Sequence, residues 1–230
     1  PSSLAIDAQG HIYVADYGHN RVQKFDPQGK YLWQIDGFEQ VRAVAVDERE
    51  NLYVLDQGAA LIKKYNPKGT LLFQFGRASK MKSPSDLAVD KEGKVYVIDT
   101  GHQRVQVFDS WGRPLRTFDG PASGEDRLVK PWGIALDGQG NIYVTDIETM
   151  QVYIFNAEGN LVYKFGSRSQ FNKPKGIAVD AMGHIYVADT GNNRLLAFFA
   201  LGESLLYELG SGAKAPEERM SNPEAVALDR

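Results

Sequence analysis

Apolar residues in this chain gather in short runs that end at glycine, proline, asparagine or aspartate, and the runs recur in a fixed order. The first kind is a tetrapeptide closed by aspartate: Leu4-Ala5-Ile6-Asp7, Val44-Ala45-Val46-Asp47, Leu87-Ala88-Val89-Asp90, Ile134-Ala135-Leu136-Asp137, Ile177-Ala178-Val179-Asp180 and Val226-Ala227-Leu228-Asp229. Nine residues after each of the first five aspartates comes a second, at the end of Tyr13-Val14-Ala15-Asp16, Tyr53-Val54-Leu55-Asp56, Tyr96-Val97-Ile98-Asp99, Tyr143-Val144-Thr145-Asp146 and Tyr186-Val187-Ala188-Asp189. The constant spacing predicts two neighbouring strands joined by one tight turn. Gly10, Gly93, Gly140 and Gly183 occupy that turn, where a positive φ is needed, and Glu50 stands there in the second copy.

A third strand is predicted at Arg21 to Phe25, and its aromatic recurs as Tyr65, Phe108, Phe155 and Phe198, each followed after four residues by a glycine. Runs such as Tyr31 to Ile35, Leu71 to Phe75, Leu161 to Phe165 and Leu205 to Leu209 make a fourth. Each unit therefore reads as a four-stranded antiparallel meander. The aspartates closing the tetrapeptides are spaced 40, 43, 47, 43 and 49 residues apart, a period that belongs to propellers and solenoids. A sheet this small, apolar on both faces, must stack on its neighbours, and radial stacking of such blades is the β-propeller. The expected fold is all-β: one domain over 1–230, with blades at about 1–40, 41–83, 84–130, 131–173 and 174–222, and residues 223–230 as the first strand of a sixth. The first strands are the most apolar and the fourth mix in Gln34, Gln74, Arg116, Lys164 and Glu208, an inside-to-outside gradient.

Several columns resemble the NHL repeat. They are Asp99-Thr100-Gly101-His102-Gln103-Arg104-Val105-Gln106-Val107-Phe108, Asp189-Thr190-Gly191-Asn192-Asn193-Arg194 and Pro174-Lys175-Gly176-Ile177-Ala178-Val179-Asp180. The resemblance covers essentially the whole chain. It implies a propeller, usually six-bladed, that binds proteins or RNA, with one branch performing zinc-dependent lyase chemistry. A ring of six needs three strands more than the chain supplies. The chain is therefore expected to be part of a longer protein, as the absence of Met at position 1 suggests, with missing sequence or a partner chain completing the sixth blade; a five-bladed ring with a tail is the competing arrangement.

Composition narrows the function classes. The chain has no cysteine, which excludes disulfides and thiolate metal sites. Its net charge of -3, from 26 basic and 29 acidic residues, argues against nonspecific polyanion binding by the whole surface while leaving room for a local basic patch. No run is long enough for a membrane helix and no signal sequence is present, so the compartment stays open.

What repeats is scaffold, so candidate chemistry lies where the repeat breaks. The loops between second and third strands share a rim with the blade connections, at 36–42, 76–83, 119–130, 166–173 and 210–222. The column just before the first strands, near the mouth of the expected channel, holds Ser2, Arg42, Ser85, Trp132, Lys175 and Glu224, with Asp86 beside it. Arg42, Asp86, Trp132, Lys175 and Glu224 form a mixed set suited to anchoring a protein partner. Asp16 with Arg21, Asp99 with Arg104 and Asp189 with Arg194 read as pairs that fix loop shape. Leu61 and Gln151 break this pattern, and Ile147 and Met150 are then expected to be exposed apolar residues on the rim, either a contact patch or local packing.

A second patch is basic: Arg77, Lys80, Lys82, Lys130, Arg168 and Lys173, with Phe171 interleaved for base stacking, interrupted by Glu125, Asp126, Glu217 and Glu218. It supports RNA binding as an alternative. A metal-dependent lyase or lactonase-like hydrolase is the remaining alternative, with little behind it. His11 and His184 sit in first-hairpin turns, and His19 and His102 stand where another blade has Asn192, whereas a catalytic zinc needs about three protein ligands. The aspartates present in every copy read as strand-end hydrogen-bond acceptors. The sequence thus points to a binding module with no catalytic residue, metal or cofactor assigned.

Overall fold

A computed structural model describes residues 1–121, 126–202, 204–210 and 220–228. The strands follow in chain order. The first blade is β1 (Ser3–Ile6), β2 (Ile12–Asp16), β3 (Arg21–Phe25) and β4 (Tyr31–Ile35); the second is β5 (Val41–Val46), β6 (Leu52–Asp56), β7 (Leu61–Tyr65) and β8 (Leu71–Phe75). The third is β9 (Asp86–Val89), β10 (Val95–Asp99), β11 (Arg104–Phe108) and β12 (Pro114–Phe118). The fourth is β13 (Pro131–Leu136), β14 (Ile142–Asp146), β15 (Gln151–Phe155) and β16 (Leu161–Phe165), and the fifth is β17 (Pro174–Val179), β18 (Ile185–Asp189), β19 (Arg194–Phe198) and β20 (Leu205–Leu209). Every sheet is a four-stranded antiparallel meander with its strands in sequence order, the blade of a β-propeller. Two compact units contain them: Pro1–Thr117 with residues 227–228, and Phe118–Val226.

Two of the three turns in a blade are each shaped by a single Asx side chain. Asp7 Oδ1 accepts the N–H groups of Gln9 at 3.1 Å and His11 at 2.9 Å, and Asp47, Asp137 and Asp180 do the same in their own blades. The turn between third and fourth strands repeats the device with Asp26, Asn66, Asp109 and Asn156. An Asx side chain that satisfies two turn amides makes the turn locally determined, which is why it recurs at fixed spacing. The tetrapeptide aspartates thus serve as the strand-end acceptors their repetition suggests. Asp7 Oδ2 also accepts the hydroxyl of buried Tyr13 at 3.1 Å, and Lys24 from β3 lies over the Tyr13 ring, 3.4 Å from that carboxylate.

Blades are held by the apolar layers between them. In the first unit, Tyr13 and Trp33 pack with Val41, Val44, Leu52 and Tyr65 of the next blade, and Tyr53, Leu55 and Ile62 pack with Leu87, Val95 and Phe108. In the second unit, Tyr143, Val152 and Phe165 pack with Ile177, Ile185 and Phe198. Ala5, Ala45 and Ala135 of the first strands join these layers, in keeping with a packing constraint at that position. The fourth strand reaches across: Phe75 packs edge-on against Phe108, ring centroids 5.3 Å apart, and a Cβ at Gly112 would fall 2.3 Å from the Phe75 ring.

Residues 223–228 depart from expectation: they form no strand. Residues 223–225 still lie against the fifth blade, where Thr190 Oγ1 donates to Pro223 O at 2.6 Å and Ala225 packs on Gly176. In the complete blades the first strand is paired by its own second strand; among the described residues nothing supplies that ladder here, so a sixth blade is not shown. Asp229 lies outside the described residues.

Candidate functional site

The rim is assembled from the blade connections and the loops between second and third strands, and the first four connections are each seated by a buried apolar plug. Phe38, Met81, Leu128 and Phe171 are all buried, Phe171 against Phe165 and Phe198 at centroid distances of 6.2 and 5.7 Å. The residues after the plug are then clasped by the aspartate that ends the second strand of the blade being entered. Asp56 accepts the N–H of Glu39 and Gln40, Asp99 that of Lys82, Asp146 those of Val129 and Lys130, and Asp189 that of Asn172. In return the 2–3 loop donates a backbone N–H to the connection: Gln57 to Gln40 O, Gly101 to Lys82 O, Ile147 to Lys130 O and Gly191 to Asn172 O, at 2.8 to 3.1 Å. Connection and loop are therefore one stiff element.

These clasping carboxylates are fully buried at Asp56, Asp99, Asp146 and Asp189. Their charge is met locally, in the way the Asp-to-Arg spacing suggests. Arg104 Nε reaches Asp99 at 3.0 Å and Arg194 Nε reaches Asp189 at 2.7 Å. Where Leu61 replaces arginine, Lys63 supplies the cation at 2.9 Å from Asp56. Where Gln151 replaces it, Asp146 takes four backbone N–H groups, adding those of Glu148 and Thr149. Asp16 is the more exposed member; burial pushes its carboxyl up, but hydrogen bonds from Arg21 and His19 hold it below the usual range. The same balance acts in reverse on Arg194: burial alone would lower its guanidinium, but Asp189 and Glu208 hold it raised.

The column expected just before the first strands lies partly within them: Arg42 is in β5, Trp132 in β13 and Lys175 in β17, at irregularities of register. In the second unit three predicted residues come together. Lys175 Nζ sits 5.3 Å from the centroid of the Trp132 ring and 2.5 Å from Glu224 Oε1, and all three are half-buried. The carbonyl of Lys175 is fixed by Thr145 Oγ1 at 2.6 Å, and Thr145 Oγ1 in turn accepts the Gly133 N–H at 2.9 Å. In the first unit Arg42 is buried, at 9% exposure, with its carbonyl bonded by Ser2 Oγ and its guanidinium 5.7 Å from the ring of Tyr17. Tyr17 is exposed, and its hydroxyl accepts from Gln40 Nε2 at 2.7 Å. Asp86 is half-buried, its Oδ1 turned back to the Leu87 N–H at 2.9 Å.

Three expectations are corrected. Ile147 is 9% exposed, buried at the position where the fifth blade carries the buried Thr190. Met150 packs against the core cluster and its Sδ accepts the Lys173 N–H at 3.1 Å. Phe171, 1% exposed, is a plug and offers no face to a base. The cations named with it divide. All six are exposed, and of them Arg168 reaches a carboxylate, 3.8 Å from Glu148. Asp126 pairs with Lys164 at 2.6 Å, and Glu125, Glu217 and Glu218 lie outside the described residues. All four histidines meet an aspartate of their own blade through Nδ1: His11 with Asp7, His19 with Asp16, His102 with Asp99 and His184 with Asp180.

Sequence reasoning passed over the plugs and Tyr17. The plugs had a signal: Phe38, Met81, Leu128 and Phe171 each stand nine residues before a tetrapeptide aspartate, as does the half-buried Met220. Tyr17 stands out as an aromatic where the third and fifth blades carry Thr100 and Thr190.

The NHL repeat profile matches residues 1–25, 81–108, 128–155 and 171–198. Four segments of this chain are NHL repeats. Three of these NHL segments begin at the plugs Met81, Leu128 and Phe171, and all four end on the third-strand aromatic, so plug and inner three strands form one recurring module. The matched NHL segments leave out residues 26–80, which include the blade with Glu50 in its turn and Leu61 in place of arginine.

Among known proteins, the chain is 28% identical to Protein brain tumor of Drosophila melanogaster over 126 residues, 51% of this chain and 12% of that protein. It is 31% identical to the B-box type zinc finger protein ncl-1 of Caenorhabditis elegans over 126 residues, again 51% of this chain and 15% of the relative. The chain thus spans a small part of either. Solved structures resemble it in fold: a streptogramin B lyase at TM-score 0.76 and 16% identity, over 99% of this chain and 72% of that one. A nidogen/laminin complex follows at TM-score 0.77 and 16% identity, over 98% and 83%.

Proposed function

We propose that this NHL-repeat chain is a non-catalytic binding module that recognises a protein through its rim, with Trp132, Lys175 and Glu224 at the centre of one contact surface. The observation that carries the reading is the preorganised trio itself. An amphipathic ring held by a cation, with that cation held by a carboxylate, loses little conformational freedom when a partner arrives, and tryptophan is enriched at the energetic centres of interfaces.

The two other readings draw less support. Single-strand RNA readers stack bases on exposed aromatics, and Phe171 is a core residue. The metal-enzyme reading needs converging ligands, whereas each histidine is turned to an aspartate in its own blade and no group of three or more His, Asp or Glu is gathered among the described residues. The likeness to a lyase bears on fold alone.

The test is Trp132→Ala combined with Lys175→Glu, which also sets a second carboxylate against Glu224. Affinity for a partner identified with the parent chain is expected to fall by about 2 kcal/mol or more, with the circular dichroism spectrum retained. A folded double variant that binds that partner as the parent does would overturn the assignment.

A further inference from the structure

We propose that the connection entering the third blade, residues 76–83, is a docking platform for an acidic segment of a partner protein. Arg77, Lys80 and Lys82 are all exposed, three cations within six residues. Many basic residues elsewhere on the chain are matched to carboxylates, among them Lys24 to Asp7, Lys63 to Asp56, Arg104 to Asp99, Arg127 to Asp119, Lys164 to Asp126, Lys175 to Glu224 and Arg194 to Asp189. Among the described residues Arg77, Lys80 and Lys82 have no such partner. Asp86, the carboxylate nearest in sequence, turns its Oδ1 to its own strand at the Leu87 N–H.

The backbone that carries these cations cannot give way. Met81 between them is buried as the plug. Lys82 is pinned on both sides, its N–H to Asp99 Oδ1 at 2.7 Å and its carbonyl by the Gly101 N–H at 2.8 Å. Lys80 and Ser83 are held at φ 46° and 47°, in the left-handed region that side-chain-bearing residues seldom adopt. Lys173 and Asn222, each two residues after Phe171 and Met220, take the same conformation at φ 52° and 47°, so at Ser83 the recurring frame sets the backbone. The platform presents long flexible charges from a fixed base.

Charge complementarity then names the occupant. A chain of net charge -3 repels polyanions at long range, so an anionic partner held here depends on the local patch. Between a nucleic acid and an acidic polypeptide, the patch favours the latter. The connection has no aromatic residue, and the Phe75 ring just before it is engaged with Phe108, so no platform for bases accompanies the cations. This inference rests on the binding-module reading and adds a second surface and its chemistry.

The test uses the full chain with a fluorescently labelled polyglutamate peptide and, in parallel, a labelled oligouridylate. The peptide is expected to bind at low salt and to weaken as salt rises. R77E/K80E/K82E should lower that affinity about tenfold or more, as charge reversal at a complementary surface does. K130E/K173E, which changes exposed cations elsewhere, should leave it unchanged, and so should W132A/K175E, so failure of the Trp132 surface and failure of this platform read separately. No peptide binding at low salt, equal losses in the triple variant and K130E/K173E, or tighter binding of the oligouridylate than of the peptide would each overturn the proposal.

Discussion

The backbone N–H of Lys82 donates to the buried Oδ1 of Asp99 at 2.7 Å, joining a surface connection to the inner frame of the blade it enters. The same carboxylate takes Arg104 Nε and Gln106 Nε2 on its other oxygen. One side chain therefore ends a strand, neutralises a cation and shapes the rim.

Removing that carboxylate should be costly. Asp99→Ala leaves a buried amide and a guanidinium without their acceptor, and about 3–5 kcal/mol of stability is expected to go. Asp16→Ala, at the more exposed equivalent, should cost about 0–1 kcal/mol. Urea unfolding of the two variants checks this, and equal losses would refute the clasp.

Phe171 should behave as core although it lies in a loop. Phe171→Ala is expected to cost about 3–5 kcal/mol, and to speed hydrogen exchange at the clasped amides of Asn172 and Gly191. A surface aromatic would leave both measurements near the parent values.

Two glycines separate crowding from backbone preference. At Gly133 a Cβ would fall 2.1 Å from Lys175 O, a backbone atom with nowhere to go, whereas Gly29 has φ +79° and nothing within 4 Å of its Cβ position. Gly29→Ala should cost about 1–2 kcal/mol from the left-handed backbone alone. Gly133→Ala should cost more and also disturb the Trp132 surface, which a shift of Trp132 emission in a background with Trp33 and Trp111 replaced by Phe would register.

The tyrosines set an alkaline limit. Burial, with the charge of Asp90 and the bond to it, pushes the Tyr96 hydroxyl from 10.0 up to about 12. The folded chain then keeps a proton that the unfolded chain releases, so this contribution is full below pH 10 and disappears as pH rises towards 12. At the acid end the sign reverses. Burial raises the Asp7 carboxyl, but the His11 N–H, the Tyr13 hydroxyl and the charges of His11 and Lys24 hold it below 3.8, so its contribution is present above that value and is lost as pH falls beneath it. Thermal melts across pH should show both edges, with Tyr96→Phe softening the alkaline one.

Much of the frame was legible because its determinants are local. Asp7 and His11, or Asp109 and Arg113, lie four residues apart and close their turn by themselves. The rim was legible only as a location. Ile147 reads as exposed and Phe171 as a base platform when their neighbours in sequence are polar, yet the fold buries both. The basic set reads as one patch, but Arg168 has found Glu148 while Arg77, Lys80 and Lys82 have found none among the described residues.

The amino-acid sequence by itself determined the blades, their strands and their turns, since alternation, spacing and Asx-type turn bonds act within a few residues of where they are written. Tertiary structure alone decided which side chains remain available to a partner. Lys82 meets Asp99 across 17 residues and Lys175 meets Glu224 across 49, and whether a charge is spent inside the fold or left at its surface depends on such long-range encounters, which no local pattern encodes.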